Sequence, residues 1–121
     1  MANGNRKKKG ERQGSVLAKK KYDMVTELYM EAAKEVSAKP ENWMAFLRSA
    51  CRNYRLPFDE QLLIHVQRPN AAAVLQMEDW NKKFGRWVKR DAKGIAVIDQ
   101  KPNAMRLKYY FDISDTQEGK H

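Results

Sequence analysis

A short segment of this sequence places cations and aromatic rings side by side. From Lys82 to Lys93 the chain interleaves lysines and arginines with Phe84 and Trp87. Cations neutralise a phosphate backbone, while aromatic or guanidinium faces stack on unpaired bases. The pattern therefore predicts contact with single-stranded nucleic acid. The alternative interpretation is a solvated basic face with Trp87 in the core, because tryptophan side chains are usually well buried.

The residues of this segment cannot all share one ligand surface. In strand geometry Trp87 and Lys89 point to one face, while Arg86 and Arg90 point to the other. Two arginines near prolines at helix boundaries, Arg55 and Arg68, give a weaker signal for the same surface. The candidates that follow from residue type are Arg55, Arg68, Lys82, Lys83, Arg86, Trp87, Lys89, Arg90 and Lys93.

Patterns for catalysis and metal binding are missing from the sequence. The two histidines, His65 and His121, lie far apart, Cys51 is the only cysteine, and no glycine-rich phosphate loop is present. Cys51 and His65 are a conceivable nucleophile and base, but Cys51 lies on the apolar stripe of a predicted helix, where a small buried residue is expected. We therefore expect no enzyme activity, no metal, no cofactor and no small-molecule substrate.

The charge of the chain is concentrated in two zones. The chain has 121 residues and a formal net charge of +9. Residues 1–21 hold eight lysines and arginines against Glu11, and residues 82–108 hold nine against Asp91 and Asp99. We interpret residues 1–14 as a disordered basic arm, with a solubilising tail as the alternative. The sequence lacks an apolar run of membrane-spanning or signal-peptide type, which predicts a cytoplasmic protein without a membrane partner.

Apolar residues at helical spacing predict the helices that position these side chains. The first helix is expected from Ser15 to Ser37, and the second runs from Pro40 to Tyr54 or Arg55 because Pro57 disfavours helix before it. A third begins at Asp59 and breaks at residues 68–70. A fourth spans residues 77–84, is closed by Gly85 and turns Trp80 and Phe84 inward.

After Gly85 the period changes to that of strands. Runs at 86–90 and 95–99 are separated by a turn at 91–94, and alternation resumes from Leu107 to Ile113. The prediction is an α+β fold with three to four N-terminal helices packed on a three-stranded antiparallel β-meander. Residues 15–114 would form a single domain, and residues 115–121 a flexible end truncated from a longer protein.

Several ordered motifs between Trp43 and Gly119 carry a resemblance to a known family. They are Asn53-Tyr54-Arg55-Leu56-Pro57-Phe58-Asp59-Glu60-Gln61, Gln67-Arg68-Pro69-Asn70-Ala71, Gly85-Arg86-Trp87-Val88 and Tyr110-Phe111-Asp112-Ile113-Ser114. This region resembles the N-terminal domain of large proteins on conjugative transposons of Firmicutes, where it precedes DNA-helicase or DNA-methyltransferase modules. It is more distantly similar to the N-terminal single-stranded-DNA-binding region of ArdC-type antirestriction proteins and LtrC-like plasmid proteins.

The resemblance implies a DNA-handling accessory domain of a mobile element, for single strands produced during transfer. Two blocks of candidate positions are carried over from it: Tyr54, Phe58, Gln61, Gln67 and Arg68, and then Trp80, Gly85, Arg86, Val88, Lys93 and Gly94. The sequence lacks the metallopeptidase-like part of ArdC and the motor or methylase motifs of the large proteins. Any enzyme activity of a parent protein would therefore lie outside these residues.

Two other classes of function remain open at this stage. A protein-docking module of a conjugation or DNA-processing assembly is suggested by a near-neutral helical half, in which Glu27, Glu31 and Glu35 alternate with apolar residues. A cryptic enzyme is the third hypothesis, and it lacks support because the sequence shows no carboxylate or histidine cluster.

Overall fold

Four helices and two small sheets form the structure. A computed structural model describes residues 2–100 and 106–119, with side chains from Leu17 onward. The helices are α1 (Ala2–Ala38), α2 (Pro40–Arg52), α3 (Phe58–Gln67) and α4 (Met77–Phe84). The strands are β1 (Val74–Leu75), β2 (Arg86–Val88), β3 (Ile95–Ile98), β4 (Leu107–Asp112) and β5 (Thr116–Glu118), with a 3₁₀ turn at Ile113–Asp115. The predicted α+β class is confirmed.

Helix α1 begins earlier than the sequence predicts. Residues 2–14, which we expected to form a disordered arm ahead of a helix starting at Ser15, belong to α1 in the structure. Arginine, lysine, glutamate and glutamine are good helix formers, and a nucleated helix extends at little cost. Toward its other end α1 packs on the core through buried Ala32 and Val36.

Prolines and buried apolar residues set the limits of the next helices. Pro40 occupies the first turn of α2, and Pro57 precedes α3 with a backbone φ of −60°. Phe46 from α2 and Leu62 from α3 are almost fully buried among the helices, whereas residues 63–64 from α3 pack against the sheet. The predicted limits of α4 are confirmed, since it ends at Phe84 and is followed by Gly85 at a φ of 60°.

The pairing of the strands differs from the predicted meander. Strands β3 and β4 form the expected antiparallel pair, but the third strand of that sheet is β1, in the order β1-β4-β3. Strand β2 pairs instead with β5 in a separate two-stranded sheet. The main-chain N–H of Lys89 donates to the carbonyl of Asp115 at 2.8 Å, so the chain leaving β2 follows the β5 side. The expected hairpin across residues 91–94 is therefore not formed.

Strand β5 lies within the segment 115–121 that was expected to be a flexible end; residues 120–121 lie outside the described part of the chain. Thr116 is buried, and its hydroxyl and carbonyl oxygens accept hydrogen bonds from the Arg86 guanidinium at 2.7 and 3.1 Å. The short polar run Thr-Gln-Glu lacks the apolar alternation by which a strand is recognised. Its order comes from contacts with residues distant in sequence.

One free edge of the three-stranded sheet is closed by a side chain. The Gln67 carboxamide accepts a hydrogen bond from the Ala96 N–H at 3.0 Å and donates one to the Ala96 carbonyl at 2.8 Å. A single planar side chain from α3 thus pairs with both main-chain groups of one residue of β3. This contact fixes α3 against the sheet.

Replacing Gln67 with alanine is expected to lower the free energy of unfolding by about 1–3 kcal/mol, because it leaves a half-buried N–H and carbonyl without partners. Urea denaturation measures the loss. Gln61→Ala is the matched control, since Gln61 makes one hydrogen bond, to the Asn53 carbonyl at 3.0 Å. An equal or larger loss for Gln61→Ala would contradict the assigned role of Gln67.

Candidate nucleic-acid interface

A cleft of about 420 Å³ opens between the α2–α3 connection, strand β1 and the end of α4. We call it the Tyr54–Phe84 cleft; its lining residues are Arg52, Asn53, Tyr54, Arg55, Leu56, Ala73, Val74, Leu75, Trp80, Lys83 and Phe84. Its lining is predominantly apolar, with aromatic and cationic side chains at the opening. Such a mixture suits a flat ring attached to an anionic backbone.

Two exposed aromatic side chains stand at the cleft. Tyr54 is 70% exposed and Phe84 is 61% exposed. Phe84 was expected to face inward with Trp80, and that expectation is wrong. Trp80 alone takes the buried position, donating its indole N–H to the Phe111 carbonyl at 2.8 Å, while Phe84 ends α4 and stays in solvent. The exposure of both rings leaves them open to stacking.

Cations flank these rings. The Arg55 guanidinium lies 5.6 Å from the centre of the Tyr54 ring, and its Nε donates to the Tyr54 hydroxyl at 3.1 Å. Lys83 is exposed, with a loose ion pair to Asp79 at 3.9 Å. Arg52 is instead committed to the fold, because it donates to the Ala71 and Pro69 carbonyls at 2.9 and 2.7 Å. Arg55 and Lys83 are therefore the cations positioned for a ligand in the cleft.

Several cations of the basic zone at residues 82–108 are committed to contacts within the fold. Arg86 is bound to Thr116, and Lys89 donates to the Ser114 carbonyl at 3.1 Å. Lys108 pairs with buried Glu60 at 3.1 Å. Within residues 17–100 and 106–119, three exposed cations of this segment make no hydrogen bond or ion pair: Lys82, Arg90 and Lys93. Lys83 and Arg106 are also exposed, each in a loose ion pair at 3.9 Å, and Lys101 lies outside the described residues. Among the described cations of the zone, these five remain open to a ligand.

Trp87 is exposed, so the alternative expectation that it lies in the core is wrong. Its side chain is 51% accessible, so it does not fill the core. The indole lies against Gly119, where an added Cβ would come within 2.0 Å of the ring nitrogen. Trp87 therefore offers a second exposed aromatic surface on the two-stranded sheet.

Other candidate residues hold the fold together. Arg68 donates to Asp115 at 2.6 Å and to the Ser114 hydroxyl at 3.0 Å. Beside it, burial would raise the pKa of Asp112, but hydrogen bonds from Ser114 and from the backbone of residues 72 and 73 hold that pKa below its usual value. Gln61 and Gln67 bind main-chain groups, and Phe58 packs edge-on against Phe46. These contacts within the fold account for the positions of all four side chains, so no bound ligand is needed to explain them.

The two residues considered as nucleophile and base occupy different environments. Cys51 is exposed, although its place on the α2 stripe predicted a buried side chain. His65 is half buried, and its Nδ1 atom has no hydrogen-bond partner within the described part of the chain. No group of three or more potential metal ligands lies within that part either.

The environment of His65 predicts a loss of stability in mild acid. Burial, and then the nearby Arg52 charge, lower its pKa from 6.5, so the unfolded chain takes up a proton more readily than the folded chain. The stability that this pKa difference contributes is complete above about pH 6.5. It is lost as the pH falls toward the lower pKa that His65 has in the folded chain. Urea midpoints at about pH 7.5 and pH 5.5 should differ in the wild type and differ less in His65→Gln. An unchanged difference in the variant would exclude His65 as the cause.

Comparisons of this chain with protein families, curated proteins and solved structures find no match. The resemblance to mobile-element proteins therefore stays a prediction. Among residues 2–100 and 106–119, no helix combines the length and apolar character that crossing a bilayer requires.

Proposed function

We propose that this chain is a non-catalytic, sequence-tolerant single-stranded DNA-binding domain whose main contact is the Tyr54–Phe84 cleft. The observation that carries the proposal is the placing of two exposed rings and two exposed cations, Arg55 and Lys83, around an apolar opening. Stacking on exposed rings does not depend on base identity, because every base has a π face. The net charge of +9 favours an anionic partner.

We propose that further exposed cations extend this surface beyond the cleft. Lys82, Arg90, Lys93 and the lysines at 19–21 are all exposed. Phosphates held by these side chains would add affinity without adding base preference, because phosphate contacts carry no direct sequence information. Trp87 would provide a second stacking position along the strand.

The biological setting we propose is that of an accessory domain in a cytoplasmic mobile-element or conjugative-transfer protein. The support is the likeness of the motifs around Tyr54 and Gly85 to N-terminal domains that precede helicase or methyltransferase modules. In that setting the partners are single-stranded DNA and the downstream domains of a parent protein.

The test is a titration of labelled single-stranded oligonucleotides of about a dozen nucleotides, followed by fluorescence anisotropy. Binding is expected at about 50 mM salt, and affinity should fall steeply by about 200 mM as counterion release becomes less favourable. A duplex of the same length is the comparison and should bind more weakly. No binding of the single strand at low salt would overturn the proposal.

A protein-docking module is the second candidate, favoured by the exposed apolar side chains of Trp43, Met44 and Leu47 on α2. Larger exposed apolar patches mark interaction sites. Gel filtration and crosslinking with downstream domains distinguish the candidates, because a docking module should bind them without DNA.

A further inference from the structure

The two outer edges of the three-stranded sheet differ in whether a side chain binds their outward-facing main-chain groups. At the β3 edge, the carboxamide of Gln67 satisfies the N–H and carbonyl of Ala96. A planar group that has a donor beside an acceptor can therefore bind the main-chain carbonyl and N–H of one outward-facing strand residue at the same time. At the β1 edge, an equivalent residue is present without such a side chain.

That residue is Val74. It stands opposite Asp112 in the antiparallel ladder, and the flanking bond runs from the Ile113 N–H to the Ala73 carbonyl at 2.9 Å. Main-chain bonding alternates along an antiparallel pair, so the N–H and carbonyl of Val74 point away from β4. In the described ranges neither group has a hydrogen-bond partner. Val74 therefore offers one donor and one acceptor at an open sheet edge.

The same edge belongs to the Tyr54–Phe84 cleft. Residues 73–75 line it together with Leu56 and Trp80, and the exposed rings of Tyr54 and Phe84 stand at its opening. Unpaired bases are recognised through stacking and through hydrogen bonds to their Watson–Crick edges. Each of the four bases has a donor next to an acceptor on that edge, in the same relation as the carboxamide of Gln67.

We propose that the cleft takes one unpaired nucleobase, stacked against its rim and hydrogen-bonded through its Watson–Crick edge to the main chain of Val74. This inference rests on the proposed nucleic-acid function and assigns that function a specific contact. Because the contact uses an edge that base pairing would occupy, it selects single strands over duplexes. Because all four bases have that pair of groups, it does so without sequence preference.

The first experiment compares wild-type binding to three probes of about ten nucleotides at low salt: oligothymidine, an abasic strand with the same phosphates, and oligo-3-methylthymidine. The methylated strand keeps its rings but loses the N3 donor. We expect affinity to fall about tenfold or more for the abasic strand and about fivefold for the methylated strand.

The outcomes separate the two proposals. Equal binding of all three probes overturns the base contact while leaving phosphate-driven binding standing. Failure of every probe to bind overturns the proposed function itself. An extended peptide is the competing occupant of an open strand edge. A cleft adapted to a peptide would bind methylated and unmodified thymidine equally, which also overturns the inference.

The second experiment changes the protein. Val74→Pro removes the outward N–H, and proline is tolerated on an edge strand where that N–H is not part of the ladder. Val74→Ala keeps the N–H and is the matched control. We expect the proline variant to bind oligothymidine about fivefold more weakly than the alanine variant, with equal binding of the abasic strand to show that both are folded. Equal affinity of the proline and alanine variants for oligothymidine overturns the proposed Val74 contact. If the proline variant does not fold, the methylated probe still tests that contact in the wild type.

Discussion

Tyr54→Ala combined with Phe84→Ala is expected to weaken binding of a single-stranded oligonucleotide by about 100-fold. Both side chains are largely exposed, so their removal takes away stacking surface at little cost to the fold. Base stacking on an aromatic side chain contributes about 1–3 kcal/mol per base, and the two rings stand at one cleft. Fluorescence anisotropy at constant low salt measures the change, and each single variant should lose about tenfold.

Tyr109→Ala is the matched control for this prediction. Tyr109 is an exposed aromatic residue of β4 that lines a different cavity, beside Arg106 and Lys108. Its replacement should leave affinity within about twofold of the wild type, since surface substitutions away from a site have small effects. If the control and the double variant lose affinity equally, the Tyr54–Phe84 cleft is not the binding site.

Phe46→Ala should cause the largest loss of stability among the substitutions considered, about 3–5 kcal/mol. The Phe46 side chain is 2% exposed and lies between Trp43, Phe58 and His65, with ring centres 5.5 to 5.7 Å away. Its removal leaves a cavity where α2 meets α3. A loss of that size is a large fraction of the 5–15 kcal/mol typical of a small domain.

Urea denaturation followed by circular dichroism measures this loss, and Trp43→Ala is the control. Trp43 contacts Phe46 but is 41% exposed, so its replacement should cost clearly less than that of Phe46. A Trp43→Ala variant as unstable as Phe46→Ala would show that the core extends to the outer face of α2.

Most helix limits were predictable because their signals are local, but the early start of α1 was not. Pro40, Pro57 and Gly85 mark helix limits through backbone geometry, and apolar spacing identifies the inward faces. Strand partners were not predictable in the same way. Pairing of β2 with β5 joins residues about 30 positions apart, and nothing in the polar run Thr-Gln-Glu signals a strand.

The cleft was predicted only in part. Tyr54, Arg55 and Lys83 were candidates, and the structure brings them together. Phe84 was missed because its spacing from Trp80 suggests a shared buried face, whereas the last residue of a helix can turn outward. Val74 could not be predicted from the sequence, because every residue except proline has the same main-chain donor and acceptor.

Asp112 connects two parts of the molecule that would touch the same strand of DNA. One of its carboxylate oxygens accepts from the N–H groups of Ala72 and Ala73 next to β1, and the other accepts from Ser114, on the way to β5. This carboxylate thereby ties the residues just before Val74 to the turn that leads into β5, the partner strand of the one that carries Trp87. A DNA strand that contacts both the Val74 edge and Trp87 must span the distance between them. The affinity for DNA should therefore rise in a step once an oligonucleotide reaches the required length.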